Sequence, residues 1–482
     1  MQINLYNTLS KSKEPFKPLK SGEVSMYNCG PTVYDRLHIG NFRASLFADT
    51  LRRMFEFNGM NVRQITNITD VGHLVGDGDD GDDKMTKALK RADKPLTLEA
   101  MREVATIYFD EYVNDLRSLN VELPEKFPRA SDHIQENIDL IKILETKGYT
   151  YETSDGIYFD TSKFSDYGKL GRSEGSKLEN FNSAPLNPIP YTLYPTSNQS
   201  RIVTNPEKRN PTDFALWKKD GKVGWESPWG KGFPGWHIEC SAMSTKYLGQ
   251  PFDIHAGAID LIPVHHNNEI AQSEAAYDKP LANYWMHNEF LIIGNSKMSK
   301  SVGNVITLQT LQDESISPIA YRYWLLTAHY RTPINFSFEA VRGAQNALIR
   351  LMATVSDLRG QTDVGTPSEA YIERFMTYIN DDLDTPQAVA LTWELIKDTD
   401  VLDADKLSTL LEFDLVLGLG LVNVPGAVAN EDIPEEISAL VDAREQARKE
   451  KDWTKSDALR AEIETRGYAI KDTDKGVRVT RE

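Results

Sequence analysis

Two cysteines and several histidines mark segments of this chain that can bind a metal ion. Cys29 and Cys240 are the only cysteines in 482 residues, and they lie far apart in sequence. That separation excludes a disulfide framework and a paired CxxC zinc knuckle. Thiolate and imidazole are the usual zinc ligands, with carboxylate a common third type. A metal site that uses both cysteines therefore needs the fold to join them.

The segment DLIPVHHNNEIAQSEAAYD supplies further candidate ligands. Pro263 lies near the start of a helical pattern, so His265 and Glu269, at i and i+4, share one helix face and can bind one ion. His266 points about a quarter turn away, and His237, in PGWHIECSAM, is a competing ligand. A lone cysteine is more often a small buried apolar residue, and a lone histidine a hydrogen-bonded core residue. The residues alone leave the ligand set open.

Two short motifs contain the residues that a triphosphate site needs. HIGN, from His38 to Asn41, enters a helix after a strand, so free N–H groups at the helix start can bind phosphate and Gly40 allows a close approach. In KMSKS, Lys297 and Lys300 place two cations on a loop. Alone, the first motif is typical of a helix cap and the second of a solvated turn. Together they can stabilise charge that builds on phosphorus during displacement by a carboxylate.

The elements around these motifs predict an α/β domain. Residues 21–56 run from the strand pattern GEVSMYNCG to the amphipathic stretch NFRASLFADTLRRMFEF, and VRQITNI follows as a second strand, which makes a βαβ unit. Within 100–175, YTYETSDGIYFDTSKF predicts a hairpin among helical patterns. Residues 175–212 are rich in Pro, Asn and Ser and predict a surface excursion within an inserted domain. Strand and helix signals return over 213–305, and the chain after about 316 is predicted to be helical up to GVRVTRE.

Length and composition limit the class of protein. At 482 residues, two to four domains are expected. The chain has 40% hydrophobic and 26% charged residues, no long apolar run and no secretory signal pattern, so we expect a cytoplasmic protein without membrane spans. A net charge of -17 argues against broad nucleic-acid affinity but allows a local basic face.

Such a face is predicted near the end of the sequence. Residues 441–482 hold 11 Lys or Arg against 10 Asp or Glu, in a chain whose total is strongly negative. Cations flank one aromatic ring there, as binding of single-stranded bases requires. The alternative is a solvated amphipathic helix whose Trp packs inward. The candidate RNA contacts are Arg448, Lys449, Lys451, Trp453 and Lys455.

The acidic run at 77–83 has a simpler interpretation than a calcium site. The order of an EF-hand loop fails, because position five from Asp77 is Gly81 and position twelve is Ala88. We predict a solvated acidic loop, whose Asp residues can bind magnesium transiently with ATP.

HIGN and KMSKS together resemble the signatures of the class I aminoacyl-tRNA synthetases, a His-Ile-Gly-His type motif and a Lys-Met-Ser-Lys-Ser motif. KMSKS matches fully, whereas HIGN departs at Asn41, which keeps a hydrogen-bonding amide but cannot carry charge. The resemblance implies that His38, Asn41, Lys297 and Lys300 are catalytic. It also implies that Gly40, His38 and Lys300 contact ATP.

Three further segments, YNCGPTVYD, GWHIECSAMS and HHNNEIAQSE, resemble the zinc-bearing segments of cysteinyl-tRNA synthetases, in order and at similar spacing. The resemblance implies one zinc ion held by Cys29, Cys240, His265 and Glu269, with His237 outside the set along with His266. Zinc prefers sulfur to hydroxyl, which suits selection of cysteine over serine.

The same resemblance assigns the substrate pocket. Thr69 and Trp236 look like the amino-acid pocket residues of that family, and Asp260, in GAIDL, looks like its ATP-site or amino-acid-site acid. The family usually has a run of glycines where this chain has HAGAIDL, so Ala256 and Ala258 crowd a backbone expected to touch adenosine.

The implied fold is a Rossmann-like class I synthetase catalytic domain with an inserted connective domain, followed by an α-helical bundle and a small C-terminal anticodon-binding module. The catalytic domain is predicted in two halves, at 1–120 and, with the zinc ligands and KMSKS, at 213–315. The connective domain lies between them at 121–212. The helical bundle follows at 316–425 and the anticodon module at 430–482.

The implied function is a cysteine–tRNA ligase that acts as a monomer on cysteine, ATP with Mg²⁺, and tRNA(Cys). An alternative is an ATP-dependent ligase that joins cysteine to a small amine such as an amino sugar, which the tail from 430 onward disfavours. A second alternative, a non-catalytic protein that binds zinc and RNA, is disfavoured by the intact HIGN and KMSKS motifs.

Overall fold

The computed structural model describes residues 1–71, 84–171, 205–294, 296–297, 305–427, 433–473 and 476–481. The strands are β1 (Asn4–Asn7), β2 (Ser12–Pro15), β3 (Glu23–Asn28), β4 (Asn61–Thr66), β5 (Thr150–Thr153), β6 (Gly156–Phe159), β7 (Phe214–Lys219), β8 (Gly232–Pro234), β9 (Phe252–Ala258), β10 (Ala282–Asn288), β11 (Leu291–Ile293), β12 (Ser296–Lys297), β13 (Ile334–Phe336), β14 (Tyr468–Thr473) and β15 (Gly476–Arg481).

The helices are α1 (Ile39–Phe57), α2 (Lys84–Arg91), α3 (Leu98–Ser118), α4 (Ile134–Thr146), α5 (Trp236–Leu248), α6 (Asn267–Tyr277), α7 (Leu308–Asp313), α8 (Pro318–Leu326), α9 (Phe338–Gln361), α10 (Glu369–Ile379), α11 (Thr385–Lys397), α12 (Asp403–Leu417), α13 (Glu435–Lys449) and α14 (Trp453–Thr465). The chain divides into two compact units, one of residues 1–345 and 377–386, the other of 346–376 and 387–482. Among the described residues, no helix is long and apolar enough to cross a membrane.

A four-stranded parallel sheet, with the order β10-β9-β3-β4, organises the first unit. The predicted βαβ unit is confirmed, because β3 and β4 pair in parallel and α1 connects them. β9 and β10 are buried along six of their seven residues each, as strands covered on both faces are. The strand order reverses between β3 and β9, so a crevice for ligands is expected at their carboxyl ends.

Cys29 lies at the carboxyl edge of the parallel sheet, directly after β3. There the loop that follows β3 contacts the loop that follows β4. A Cβ added at Gly30 would lie 1.7 Å from the carbonyl oxygen of Asn67, so only glycine fits. The Gly30 N–H also donates to Oδ1 of Asn67 at 2.9 Å. The backbone beyond Cys29 is therefore held against the loop that follows β4.

An antiparallel sheet of order β5-β6-β7-β8 carries the inserted part of the first unit. The hairpin predicted within 100–175 is confirmed as β5 and β6. Buried Phe159 and Trp217 of this sheet share one apolar cluster with Ile238 and Ala242 of α5. Burial of each large side chain stabilises by about 1.5–3 kcal/mol, so this cluster fixes the helix that carries Cys240. Residues 175–204, which are most of the surface excursion predicted over 175–212, lie outside the described residues.

The chain after 316 is less uniformly helical than predicted. Ile334–Phe336 forms β13, which pairs in parallel with β11, and Tyr468–Thr473 forms β14, which pairs with β15. A three-residue segment is too short to show a periodic pattern, so the sequence does not predict it as a strand. β13 forms because it can pair with β11, which is distant in sequence.

The second unit begins within α9 and is mainly helical. Its last part, α13, α14 and the β14–β15 hairpin, has a small core of its own. That core contains Ile437, Val441, Ile463, Ile470 and Val479.

Candidate active site and metal centre

Two thiols, an imidazole and a carboxylate converge at the carboxyl edge of the parallel sheet. One donor atom from each of Cys29, Cys240, His265 and Glu269 lies within 4.8 Å of the others. Nε2 of His265 is 2.9 Å from Oε1 of Glu269, and Sγ of Cys29 is 3.8 Å from that oxygen. A tetrahedral zinc ion would place its donor atoms about 3.3–3.8 Å apart. The set can therefore close around one ion with small side-chain movements.

A second possible set replaces Cys240 and His265 by His255 and His266. The two sets differ in the hydrogen bonds made by the histidine ring nitrogen that would not bind the metal. Nδ1 of His265 is 2.9 Å from Nδ1 of His237, which gives it the outer partner that a ligating histidine needs. Nδ1 of His255 has no hydrogen-bond partner among the described residues. The geometry thus favours the set with two thiols.

Four elements position the four candidate donors. Cys240 lies on α5, Cys29 follows β3, and Glu269 is in the first turn of α6. Directly before α6, Ile262–His266 forms a π-helical turn, and His265 lies in it. The predicted i, i+4 pairing of His265 with Glu269 is confirmed by their contact.

The π-helical turn changes the position of His266. The expected quarter-turn offset assumed α-helical geometry, whereas the wider i→i+5 turn rotates the ring toward the cluster. Nε2 of His266 is 3.4 Å from Sγ of Cys29, and its Nδ1 is 2.7 Å from Nε2 of His287. Nδ1 of His287 is in turn 2.8 Å from Oγ1 of Thr8. His266 lies beside the donor set as a hydrogen-bonding neighbour of the Cys29 sulfur.

These two rings are neutral. Burial lowers the pKa of His287 to about 3, and burial together with neighbouring His255 lowers the pKa of His266 well below its ordinary value. Neutral rings allow one consistent assignment, in which Thr8 donates to His287, His287 to His266, and His266 to the sulfur of Cys29.

Glu269 and His265 form a buried charged pair. Burial opposes the charged form of Glu269, but His255 and His265 outweigh it and lower its pKa to about 2. Burial likewise opposes the charged form of His265, but Glu269, with help from Cys240, raises its pKa to about 10. Without a metal ion, the carboxylate is ionised and the imidazole protonated at neutral pH.

The two thiols differ in acidity. Burial raises the pKa of Cys29 well above its ordinary value, and Cys240 and Glu269 raise it further. A hydrogen bond from Cys29 lowers the pKa of Cys240, although burial opposes this effect. Cys240 is therefore the thiol that loses its proton first.

His255 is a site residue that the motifs do not identify. It is fully buried in β9, and its Nε2 lies 2.9 Å from Oε2 of Glu269. The sequence feature that could have identified it is a histidine within the otherwise largely apolar strand segment FDIHAGA. In the parallel register it pairs with Tyr27, two residues before Cys29.

The HIGN turn has the predicted place at the start of α1, with His38 as the N-cap residue. A Cβ at Gly40 would lie 3.0 Å from Nδ1 of His38, so glycine leaves space for the imidazole. Oδ1 of Asn41 accepts a 3.1 Å hydrogen bond from the backbone N–H of His38. Asn41 therefore supports the turn, and its role in catalysis stays a prediction.

The other predicted nucleotide residues are only partly described. The backbone of Lys297 belongs to β12, while its side chain and all of Lys300 lie outside the described residues, as does the acidic run 77–83. Asp260 is exposed in a short 3-10 turn after β9, at the carboxyl edge where the crevice is expected.

The two predicted amino-acid pocket residues are Trp236 and Thr69, and Trp236 borders the metal cluster. It opens α5, and its ring centroid is 4.5 Å from that of His265. Thr69 is buried, and its hydroxyl lies 3.4 Å from Oε2 of Glu239, a buried acid that the sequence did not single out.

The predicted RNA contacts lie around the start of α14. The ring of Trp453 is 57% exposed rather than packed inward, and the Arg448 guanidinium lies 6.0 Å from its centroid. Lys449, Lys451 and Lys455 are exposed nearby in sequence. The inward-packed alternative is wrong.

Comparisons with known proteins agree with this architecture. A family model described as "tRNA synthetases class I (C) catalytic domain" matches residues 15–346. A methionyl-tRNA synthetase structure from Mycobacterium tuberculosis superposes with a TM-score of 0.53 at 16% identity, over 82% of this chain and 90% of that one. A leucyl-tRNA synthetase complex from Agrobacterium radiobacter gives 0.59 at 12% identity, over 85% of each chain. The fold and the catalytic-domain match define a class I aminoacyl-tRNA synthetase.

The particular family follows from closer relatives. A "Cysteine--tRNA ligase 1" of Burkholderia lata is 45% identical over 99% of this chain and 97% of that protein. A "Cysteine--tRNA ligase" of Caldicellulosiruptor saccharolyticus is 40% identical over 99% and 100%. A model described as "Cysteinyl-tRNA ligase anticodon binding domain" matches residues 430–479. The chain belongs to the cysteine–tRNA ligase family, and joining cysteine to a small amine is not favoured.

Proposed function

We propose that this chain activates cysteine with ATP, giving cysteinyl-adenylate and pyrophosphate, and then transfers the cysteinyl group to the 3′ terminal adenosine of tRNA(Cys). The observation that carries the proposal is the donor set of two thiols, His265 and Glu269, placed at the sheet edge where α1 begins. In this proposal ATP enters with Mg²⁺, and the protein acts in the cytoplasm.

We also propose one zinc ion per chain, held by Cys29, Cys240, His265 and Glu269. Bound zinc lowers the pKa of a coordinated thiol and prefers sulfur to hydroxyl, which supplies the selection of cysteine over serine. Packing alone would reject an isosteric hydroxyl by only about a hundredfold. Metal ligation thus provides discrimination that the shape of a pocket cannot.

The chain's own residues prepare the donors. With its Nδ1 bonded to His237, His265 can present an unprotonated Nε2 to the ion. The bond from His255 occupies Oε2 of Glu269, which leaves Oε1 for the ion. Trp236 covers the His265 ring and narrows the space beside the donors.

Activation itself needs alignment and charge stabilisation more than a side-chain base. At the N-terminus of α1, His38 and Gly40 offer an imidazole and unobstructed backbone to the phosphates. In this proposal Lys297 and Lys300 neutralise the charge that builds on phosphorus, Asp260 binds ATP, and Thr69 contacts the amino acid.

For the transfer RNA, we propose that the exposed ring of Trp453 stacks on a single-stranded base of the anticodon region. Arg448, Lys449, Lys451 and Lys455 would contact phosphates around it.

Two alanine variants distinguish the two donor sets. His265→Ala is expected to lose zinc and cysteine-dependent ATP–pyrophosphate exchange together, whereas His266→Ala keeps one zinc per chain. Zinc is measured by atomic emission on purified protein. Glu269→Gln, which preserves side-chain volume, should behave as His265→Ala does.

Different results would refute different parts of the proposal. Full zinc content in both His265→Ala and Glu269→Gln would show that the ligand set is wrong. Absence of cysteine-dependent exchange in the zinc-loaded wild-type protein would refute the reaction itself.

A further inference from the structure

The peptide groups of Ile39, the second residue of HIGN, are held from outside α1. The N–H of Ile39 donates to the carbonyl oxygen of Ile306 at 2.8 Å, and the hydroxyl of Tyr321 donates to the carbonyl oxygen of Ile39 at 2.8 Å. Ile306 lies shortly after KMSKS in the chain, and Tyr321 lies on α8. Both bonds therefore come from the segment that follows the second signature motif.

Neither bond belongs to ordinary helix geometry. Ile39 is the first residue of α1, so its N–H has no partner within the helix and the Ile306 carbonyl supplies one. The Ile39 carbonyl oxygen is positioned to accept the usual helical hydrogen bond from the N–H four residues later. The Tyr321 hydroxyl donates to the second lone pair of that same oxygen. Tyr321 is fully buried, and burial raises its pKa far above the ordinary value, so its hydroxyl remains a donor.

We propose that Tyr321 is a positioning residue for the nucleotide-binding turn. Its hydroxyl fixes Ile39, and through Ile39 it fixes the neighbouring His38 and Gly40 relative to α8. This inference rests on the proposed function, because it assigns the HIGN turn to ATP. Within the turn, the bond from His38 N–H to Asn41 completes the same support.

The expected effect is on the chemical step. A reacting group displaced by about 1 Å can cost up to a hundredfold in rate, and loss of one of the two outside bonds is a milder change. Tyr321→Phe keeps the ring and removes the donor. We expect kcat for cysteine-dependent exchange to fall about tenfold. The KM for cysteine is expected to stay within about twofold, because the metal donors stand on other elements.

A buried tyrosine in the same unit provides a matched control. Tyr284 is 7% exposed, and its hydroxyl donates to the carbonyl oxygen of Pro15 at 3.0 Å. The same hydroxyl accepts a 3.0 Å hydrogen bond from the backbone N–H of Lys17. Tyr284→Phe therefore also removes a phenol-to-carbonyl bond, together with this second bond, at a place remote in sequence from HIGN. A purely structural role for Tyr321 predicts that both variants lose thermal stability and that neither changes kcat.

The experiment measures kcat and KM of exchange, zinc content and thermal midpoint for the wild-type protein and both variants. A tenfold loss of kcat in Tyr321→Phe alone, with zinc retained, supports the proposal. Rescue by 4-aminophenylalanine at position 321, which restores a donor, supports it further. If Tyr321→Phe does not fold, 4-aminophenylalanine and 4-methylphenylalanine at this position make the same comparison.

Two results overturn the proposal. One is a Tyr321→Phe kcat within about twofold of the wild type, and the other is an equal loss in Tyr284→Phe. A wild-type protein without exchange activity would instead refute the proposed function, and the two failures are therefore distinguishable.

Discussion

At the residue scale, a metal ion bound by the four candidate donors would change the protonation of some of them. His265 is protonated at neutral pH because its pKa is raised to about 10, chiefly by Glu269 against the opposing effect of burial. The buried Cys29 thiol also holds its proton, whereas Glu269 is ionised because its pKa is about 2. Metal binding requires thiolates and a neutral imidazole, so it must expel protons from some donors and not from others.

The first prediction is that zinc binding to the metal-free protein at pH 7.5 releases about two to three protons per ion. His265 contributes one, the pair of thiols contributes the rest, and Glu269 contributes none. Release is measured with a pH indicator in weakly buffered solution. His266→Ala should release the same number, since its ring is already neutral. Fewer than two protons would show that His265 is neutral before zinc binds.

The limit of sequence reasoning is visible in the same residues. Spacing predicted the contact between His265 and Glu269, because i and i+4 share a helix face. It could not predict the place of His266, because a π-helical turn leaves no periodic signal. His255 could be found only from the strand register, which pairs it with Tyr27, two residues before Cys29, and no single segment of the sequence encodes that pairing.

At the element scale, the elements with strong patterns were predictable, whereas the short strand β13 was not. Alternation in 21–28 and the amphipathic stretch 41–57 gave β3 and α1 because each pattern spans several turns or residue pairs. β13 is three residues long and exists through its pairing with β11. Its formation is a property of the sheet rather than of the segment INF.

Helix α3 contains a carboxyl group that disfavours folding at neutral pH. Burial and, to a smaller extent, Glu111 raise the pKa of Asp115 to about 6, although Arg36 opposes both. Asp115 also lies in the last turn of α3, where the helix dipole disfavours negative charge. The unfolded chain ionises near its ordinary pKa of about 3.9. As pH rises from about 4 to about 6, the unfolded state loses this proton first, and stability falls.

The second prediction is that Asp115→Asn raises the free energy of unfolding by about 1 kcal/mol at pH 8, after allowance for solvent screening of a partly exposed group. The gain should disappear near pH 4, where the wild-type carboxyl is protonated in both states. Urea denaturation at the two pH values measures it. Asp139→Asn, at a residue of α4 in the same unit, serves as a control for removal of one negative charge. An equal gain at both pH values would contradict the assignment.

At the scale of the whole molecule, one site depends on segments that are remote in sequence. Cys29, Cys240 and the helix that contains Glu269 meet because β3 and β9 are neighbours although many residues separate them. Sequence motifs predicted which segments take part, through their resemblance to a family. The geometry that favours one candidate donor set over the adjacent histidines comes from the packing of those segments. The five predicted domain segments stay predictions, and the structure divides the chain more coarsely into two units.

The last prediction separates cysteine activation from recognition of the transfer RNA. The final module has its own core, and the ring of Trp453 is 57% exposed, so Trp453→Ala removes little packing. Stacking of a base on an aromatic ring contributes about 1–3 kcal/mol, and kcat/KM for charging tRNA(Cys) should therefore fall by about 5- to 150-fold. Cysteine-dependent exchange should not change, because it needs no RNA. Leu402→Ala, at an apolar residue of the same unit that is 71% exposed, is the matched control and should alter neither reaction. Normal charging by Trp453→Ala would show that this ring does not contact the RNA, whereas loss of both activities would mean that the substitution disturbs the fold.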